Sequence, residues 1–461
     1  MPSPVSNPSR SGAAGLPGAR PALLLLIAIN LFNYIDRQVL AAVVPQIKQT
    51  YFGTNGSGPG STLGALLEWC QQHLGFKPEN AVVGLLSMAF MTFYMIGAPI
   101  FGRLGERISR WKLIAVGVIA WSLASGASGL ASTFAALLLT RCFVGIGEAA
   151  YGPIAPTVLS DFYPARIRGQ VLAWFYMAIP VGSALGYVIG EQIAKSGLGG
   201  GAESWRWAFY LVVPPGILLG LGSLFLRDPR CGQADPGSEN AAAARLRWRD
   251  YLVLWHTPSY VLCSLGMCAM TFAIGGIAFW MPYYLEGLPG VGRAPTTVFG
   301  ALTVVAGLTA TLLGGFVGDR LRSRFPGSYF LVSGCAMLAG FPCFLAMLWV
   351  PFPAAWGLLF LAVFCLFFNT GPTNTVLANV THPAMRATAF ALNIFFIHAL
   401  GDVISPTLLG VASDRFGMRA AFVAVAGVFV LAGILWLWGA RHLARDTALA
   451  PTRLASASIR P

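Results

Sequence analysis

Between Leu113 and Leu139 the chain runs 27 residues without a charged side chain. Pro21–Ile35, Trp207–Leu226 and Ala354–Phe368 are likewise free of charge. About 20 apolar residues in a helix cross a hydrocarbon core of ~30 Å. In lipid every backbone polar group must find its partner within the protein, so runs of this length select helical membrane spans. Composition agrees: of 461 residues 56% are hydrophobic and 10% charged, against about 25% charged in soluble domains. The ten-residue alternation of a β-barrel strand is not seen.

Twelve spans are expected, at 21–47, 80–101, 113–133, 135–160, 169–194, 206–226, 257–284, 294–318, 328–350, 354–378, 387–411 and 420–440. The first run lacks a small-x-small cleavage pattern, so it reads as span 1 of the mature protein. Residues 1–20, rich in Pro, Gly, Ser and Ala, read as a disordered tail, and 441–461 as a second tail. With both termini cytoplasmic, 21 of the thirty Lys and Arg fall in inside segments and seven outside. That three-to-one excess follows the positive-inside rule. It explains the net charge of +13 as anchorage against anionic lipid, without nucleic acid. Six of the eight cysteines (Cys142, Cys263, Cys268, Cys335, Cys343 and Cys365) fall in spans without metal-ligand spacing, and membrane cysteine is usually a small hydrophobe.

The two halves repeat. Gly102-Arg-Leu-Gly-Glu-Arg-Ile108 matches Gly315-Phe-Val-Gly-Asp-Arg-Leu321, offset by 213 residues, and Arg206-Trp-Ala-Phe209 matches Arg419-Ala-Ala-Phe422 at the same offset. Thr157-Val-Leu159 matches Thr375-Val-Leu377 at 218. The fold class expected is therefore an all-α membrane protein of two pseudo-symmetric six-helix bundles, 21–226 and 257–440, joined by the basic linker 227–256. Parallel six-helix repeats are the arrangement of major facilitator transporters. The loop at 102–112 resembles that superfamily's glycine-x-leucine-alanine-aspartate-arginine loop, with Glu106 at the acid position and Asp319 and Arg320 in the second copy. There the acid is placed to cap a helix N-terminus, and Arg107, Arg110 and Lys112 to bridge carboxylates at a cytoplasmic gate. Asp161 and Arg168, seven apart, resemble the superfamily's acid-x6-arginine gate pair. In span 5, Gly182, Gly186 and Gly190 recur every four residues, a spacing that lets helices approach closely.

Ionisable groups inside a bilayer are costly unless paired or hydrated, so each marks a candidate site. Asp36, Arg37, Arg141 and Glu148 stand out, with His398 and Asp402 in span 11. At ~1.5 Å per residue, Arg141 lies roughly 10 Å, Arg37 about 15 Å and Glu148 roughly 20 Å below the outer edge. If spans 1 and 4 line the cavity, as the resemblance to that superfamily implies, Arg37 is placed to bridge to Glu148. Asp36, about 100° away around the helix, points elsewhere. A buried Arg–Glu pair also serves merely to orient two helices. In a cavity, burial disfavours an ionised carboxylate and a nearby guanidinium favours it, so Asp36, Glu148 and Asp402 are the expected proton-coupling groups. Arg37, Arg141, Asn33, Tyr34 and His398 are the expected substrate contacts, since guanidinium groups match phosphate and carboxylate.

Asn33-Tyr-Ile-Asp-Arg37, Arg141-x3-Gly145-Ile-Gly-Glu-Ala149, Ala155-Pro-Thr157, Ala178-Ile-Pro-x-Gly-Ser183, His398-Ala-Leu-Gly-Asp402-x2-Ser-Pro406 and Ser413-Asp414 together resemble the spinster family of the major facilitator superfamily. That resemblance implies a proton-linked secondary transporter working by alternating access. Asp36, Arg37 and Glu148 would lie in its coupling and substrate site, and the cargo would be a lysophospholipid or sphingolipid-like amphipath. A multidrug, organic-anion or metabolite transporter of the same fold is the alternative. High Ala, Gly and Arg content points to a bacterial inner membrane. The expected partners are a small amphipathic substrate, protons and the lipid bilayer, with the chain a monomer and no nucleic acid. No enzyme constellation, phosphate loop or dinucleotide fingerprint is present, so neither catalysis nor a cofactor or metal is expected.

Overall fold

A computed structural model of the chain describes residues 16–53, 62–105, 107–200, 203–230, 233, 252–382 and 385–452. The side chains of 62, 165–170, 173, 386, 387 and 451 also fall outside the description. The first half contains α1 (Ala19–Ala42), α2 (Val44–Phe52), α3 (Thr62–Leu74), α4 (Glu79–Gly105), α5 (Arg110–Leu130), α6 (Phe134–Ala149), α7 (Ala155–Phe162), α8 (Ala165–Lys195), α9 (Trp205–Tyr210) and α10 (Val213–Ser223). The second contains α11 (Leu252–Trp255), α12 (Pro258–Glu286), α13 (Pro295–Arg322), α14 (Ser328–Met347), α15 (Ala354–Phe367), α16 (Thr370–Val380), α17 (Arg386–Ile397), α18 (Ser405–Phe416) and α19 (Met418–Leu449).

Among the described residues, nine helices are long and apolar enough to cross a membrane: Ala19–Ala42, Glu79–Gly105, Arg110–Leu130, Pro258–Glu286, Pro295–Arg322, Ser328–Met347, Ala354–Val380, Thr388–Phe416 and Met418–Leu449. The expected spans at 135–160 and 206–226 are interrupted, and each break has a local cause. Pro153 and Pro156 separate α6 from α7, and Pro214 and Pro215 follow the step from α9 to α10. Proline removes a backbone donor and clashes with the preceding turn. Likewise α1 stops at Ala42 rather than 47 and α2 opens at Val44, because Pro45 has no N–H to donate to the Ala41 carbonyl and its ring crowds that turn. The last helix continues to Leu449, past the expected boundary at 440. The segment 48–79 between the first two expected spans contains α3.

Helix pairings recur between the halves. In the first, α1 packs on α8, α4 on α6, and α5 on α6 and α10. In the second, α12 packs on α17 and α18, α13 on α15 and α16, and α14 on α15 and α19. Outward faces are apolar: Phe225, Leu312 and Leu130 are 87%, 75% and 74% exposed. Exposed apolar surface on this scale marks an interaction face, here lipid.

The glycine stripe of span 5 is an α1-packing surface. An added Cβ would stand 2.4 Å from the Leu31 carbonyl oxygen at Gly182, 2.5 Å from that of Ile35 at Gly186, and 2.6 Å from the Ala42 Cβ at Gly190. Backbone atoms cannot yield as side chains do. Gly186→Leu is expected to cost at least the ~1–3 kcal/mol typical of overpacking, read as a lowered Tm of the detergent-solubilised protein.

Candidate functional site

The site is built where α1, α4 and α6 meet. Gly145, one turn before Glu148 on α6, lies so close to α4 that a Cβ there would sit 2.2 Å from the Phe90 carbonyl oxygen. That approach brings Phe90 and Tyr94 of α4 to the charged residues of α1. Arg37 donates from Nε to Glu148 Oε2 at 2.7 Å and from Nη2 at 2.6 Å. The guanidinium is packed against the rings of Tyr34, Phe90 and Tyr94, at 4.9, 5.0 and 5.1 Å. Cation–π contacts of this kind gain strength when desolvated. The Glu148 side chain has no exposure, whereas 18% of the Arg37 side chain remains accessible, so the arginine is held on one edge and open on another. Asn33 is buried against Glu148, its amide nitrogen short of full hydrogen-bond geometry.

Asp36 faces the other way and is fully buried. It accepts a hydrogen bond from Ser125 Oγ on α5. Arg141, two turns before Glu148 on α6, is 1% exposed. Its Nε and Nη1 have no hydrogen-bond partner in the protein. Its guanidinium lies 5.4 Å from the Phe90 ring. The four charges therefore comprise one tight bridge, Arg37–Glu148, and two further buried groups of opposite sign, Arg141 and Asp36, with Phe90 shared by both guanidinium groups.

The second half contributes His398 and Asp402. His398 Nδ1 lies 3.0 Å from both Asp402 carboxylate oxygens. Span 11 is kinked here: His398–Asp402 is π-helical, with Gly401 at φ −107°, ψ −105°. Single π turns are frequent at functional sites. Gly275 of α12 lets the turn pack closely, since a Cβ there would be 2.6 Å from the Asp402 Cβ. The two side chains are about a quarter exposed, and the turn that carries them packs on α12 and on α4. Helix α4, which supplies Phe90 and Tyr94 to the Arg37 cluster, is thus in contact with the turn that holds His398 and Asp402.

The gate residues divide. Arg110 donates from Nη1 to Asp161 at 2.5 Å, from Nε to Asp228 at 2.9 Å and from Nη2 to the Pro229 carbonyl at 2.5 Å. Asp228 also accepts from the Arg110 backbone N–H at 2.7 Å, which caps α5. Asp228 is a partner of Arg110 that the sequence did not single out, and no spacing in the basic linker marks it. Arg107 is exposed. Glu106 and the Arg168 side chain lie outside the described residues, so of the expected gate contacts of Asp161 the one seen is with Arg110. Asp319 accepts from Tyr329 Oη at 2.7 Å, and Arg320 is exposed beside it. Arg110→Ala is expected to cost about 1.5–3 kcal/mol, the range for a hydrogen-bonded charge. Arg110→Lys should recover only part, because an ammonium lacks the guanidinium fork; thermal unfolding of the three proteins checks this.

Contacts between the halves gather at the end where α4 and α13 begin, and there Asp414 of α18 meets the backbone of Asn80 and Ala81. At the opposite end the ion pairs and hydrogen bonds just described, Arg110 with Asp161 and Asp228 and Tyr329 with Asp319, each stay within one half.

The Major Facilitator Superfamily model matches residues 26–406. Protein spinster homolog 3 of Danio rerio is 34% identical over 414 residues, spanning 85% of this chain and 76% of that protein. Protein spinster homolog 1 of Homo sapiens is 34% identical over 425 residues, spanning 87% and 74%. The chain belongs to the spinster family of this superfamily. A spinster protein is a membrane transporter and not an enzyme, which agrees with the absence of catalytic motifs in the sequence. Among solved structures, a bacterial homolog of the human lysosomal transporter Spinster, in an inward-facing and unoccupied conformation, superposes with a TM-score of 0.80 at 23% identity, over 93% of this chain and 98% of that one. A D-xylose–proton symporter superposes with a TM-score of 0.68 at 16% identity, over 90% and 96%.

Proposed function

We propose that this spinster-family chain is a proton-coupled secondary transporter of an amphipathic anion or zwitterion of lysophospholipid or sphingolipid type. It works by alternating access between two six-helix bundles of a twelve-span bacterial inner-membrane protein with both termini cytoplasmic. One observation carries the reading: Arg37 is tied to a fully buried Glu148 on one edge and accessible on another, inside a wall of aromatic rings. An anionic headgroup arriving at the open edge competes with Glu148 for the guanidinium. Protonation of Glu148 removes the competitor, so proton uptake and substrate binding favour each other through one shared cation. The rings of Tyr34, Phe90 and Tyr94 supply apolar surface beside the charge. Asp402 and His398 offer an acceptor and a second titratable group on the facing half. The positive-inside count assigns the Asp414 end to the outside, so the arrangement described here is closed outward.

Reconstituted protein should move lysophospholipids, faster with a pH gradient than without. A cationic drug should be a poor substrate, because the accessible charge of the cluster is the Arg37 guanidinium. Transport of the drug with no lysolipid flux, or lysolipid flux indifferent to the gradient, would overturn the proposal.

A further inference from the structure

The end assigned to the outside is closed by two contacts that repeat each other in register. Asp414, near the end of α18, accepts from the backbone N–H of Asn80 at 2.9 Å and of Ala81 at 2.8 Å, in the first turn of α4. Glu191, near the end of α8, accepts from the backbone N–H of Thr297 at 2.7 Å, in the first turn of α13. Both contacts cross between the halves. Ala81 and Thr297 are each the third residue of their helix. Three residues further on stand Gly84 and Gly300, and both are crossed closely by the same opposing helix. A Cβ on Gly84 would be 2.7 Å from the Pro406 carbonyl oxygen and from the Thr407 Cα, and one on Gly300 would be 3.2 Å from the Ala184 carbonyl oxygen. Ala81 and Gly84 map onto Thr297 and Gly300 by one constant shift, and Ala184 and Glu191 map onto Thr407 and Asp414 by another. A chance contact has no reason to recur in this way.

The chemistry of the two contacts is the same. The first N–H groups of a helix lack intrahelical partners and carry partial positive charge that favours an anion. A carboxylate from the other half satisfies them, but only while the halves touch. Each carboxylate has a basic companion. Glu191 Oε1 binds Lys195 Nζ at 2.7 Å. Beside Asp414, Lys48 Nζ reaches Asn80 Oδ1 at 2.5 Å and Tyr283 Oη at 3.0 Å. Glu191 is completely buried, so separation of the halves exposes it and leaves the α13 N-terminus uncapped.

We propose that Glu191 and Asp414 are paired latches of the outer gate, each holding the N-terminus of a helix in the opposite half, and that their release sets the balance between inward-open and outward-open states. The inference rests on the alternating-access reading above. Because both latches hold the same two bodies, loosening one opens the whole end, including the side it does not touch.

Spin labels at Lys77→Cys and Arg419→Cys, exposed positions in opposite halves at this end, in a background with the native cysteines replaced, report that opening as a distance distribution in proteoliposomes. Asp414→Asn and Glu191→Gln should each raise the ratio of long to short distances about tenfold, the size expected for losing a hydrogen bond to a charged acceptor. Asp414→Glu should keep the short distance. The Glu191→Gln result is the decisive one, since this residue lies on the other side of the closure from the labels and a purely local role would leave them unmoved. A Glu191→Gln distribution identical to wild type overturns the proposal, as does a shift in Asp414→Asn alone. Lysolipid flux in the same vesicles keeps the two readings apart. Flux with unmoved distances sinks the latches and leaves the transporter; shifted distances without flux in the parent protein do the reverse.

Discussion

Arg37→Ala is expected to reduce transport at least a hundredfold and to destabilise the protein by about 3–5 kcal/mol, the cost of leaving a buried charge without its partner. The charge left behind is Glu148, whose side chain is fully buried and has Arg37 as its described ion-pair partner. The instability should be repairable without the function. In Arg37→Ala/Glu148→Gln the stranded charge is gone, so most of the Tm should return while transport stays at background. A pair that only orients two helices behaves differently: its double variant, once stable, transports. Thermal unfolding and flux measured on the two singles and the double form the cycle that separates these cases.

The second large effect is expected at Arg141 and Asp36. Arg141 is buried, with two guanidinium nitrogens lacking hydrogen-bond partners in the protein, and Asp36 is a second buried group of opposite charge in the same bundle. Asp36→Leu should therefore strand a cation in the bilayer interior and lower stability by about 3–5 kcal/mol. Asp36→Leu/Arg141→Met, which replaces both charges with apolar groups of similar size, should be close to the parent in Tm. If Asp36→Leu alone unfolds at the parent temperature, the two residues are not energetically paired. Flux through the double variant then tests whether these two charges contribute to transport at all.

Much of the architecture was legible because the bilayer imposes a simple code. A charge in an apolar run is conspicuous, and Asp36, Arg37, Arg141 and Glu148 were found on that ground. The seven-residue spacing of Arg141 and Glu148 placed them on one face of α6, and the 100° step placed Asp36 and Arg37 on different ones. The partners those charges take were not legible. Phe90 and Tyr94, i and i+4 on α4, read as ordinary apolar residues, and what distinguishes them is the glycine at 145 that lets α4 approach. Ser125 is one of several serines in its span, and its role depends on a contact 89 residues away in sequence. The π turn at His398–Asp402 left no periodic signature, since five residues cannot show a period. Proline marked the breaks at 150–154 and 211–212, but in a hydropathy profile these residues are still apolar, so the spans read as continuous. α3 was lost between glycines and serines at 53–61. Glu191 and Asp414 sit at helix ends, where a charge is unremarkable until the opposing helix is seen.

Proton movement accompanying lysolipid flux in proteoliposomes, followed with a trapped pH-sensitive dye for the parent and for Glu148→Gln, bears most directly on the shared-cation account. The account predicts that adding lysolipid drives a proton flux in the parent, and that Glu148→Gln retains lysolipid exchange while losing both the proton flux and its response to a pH gradient. A Glu148→Gln protein that transports with undiminished proton flux and unchanged pH dependence contradicts it.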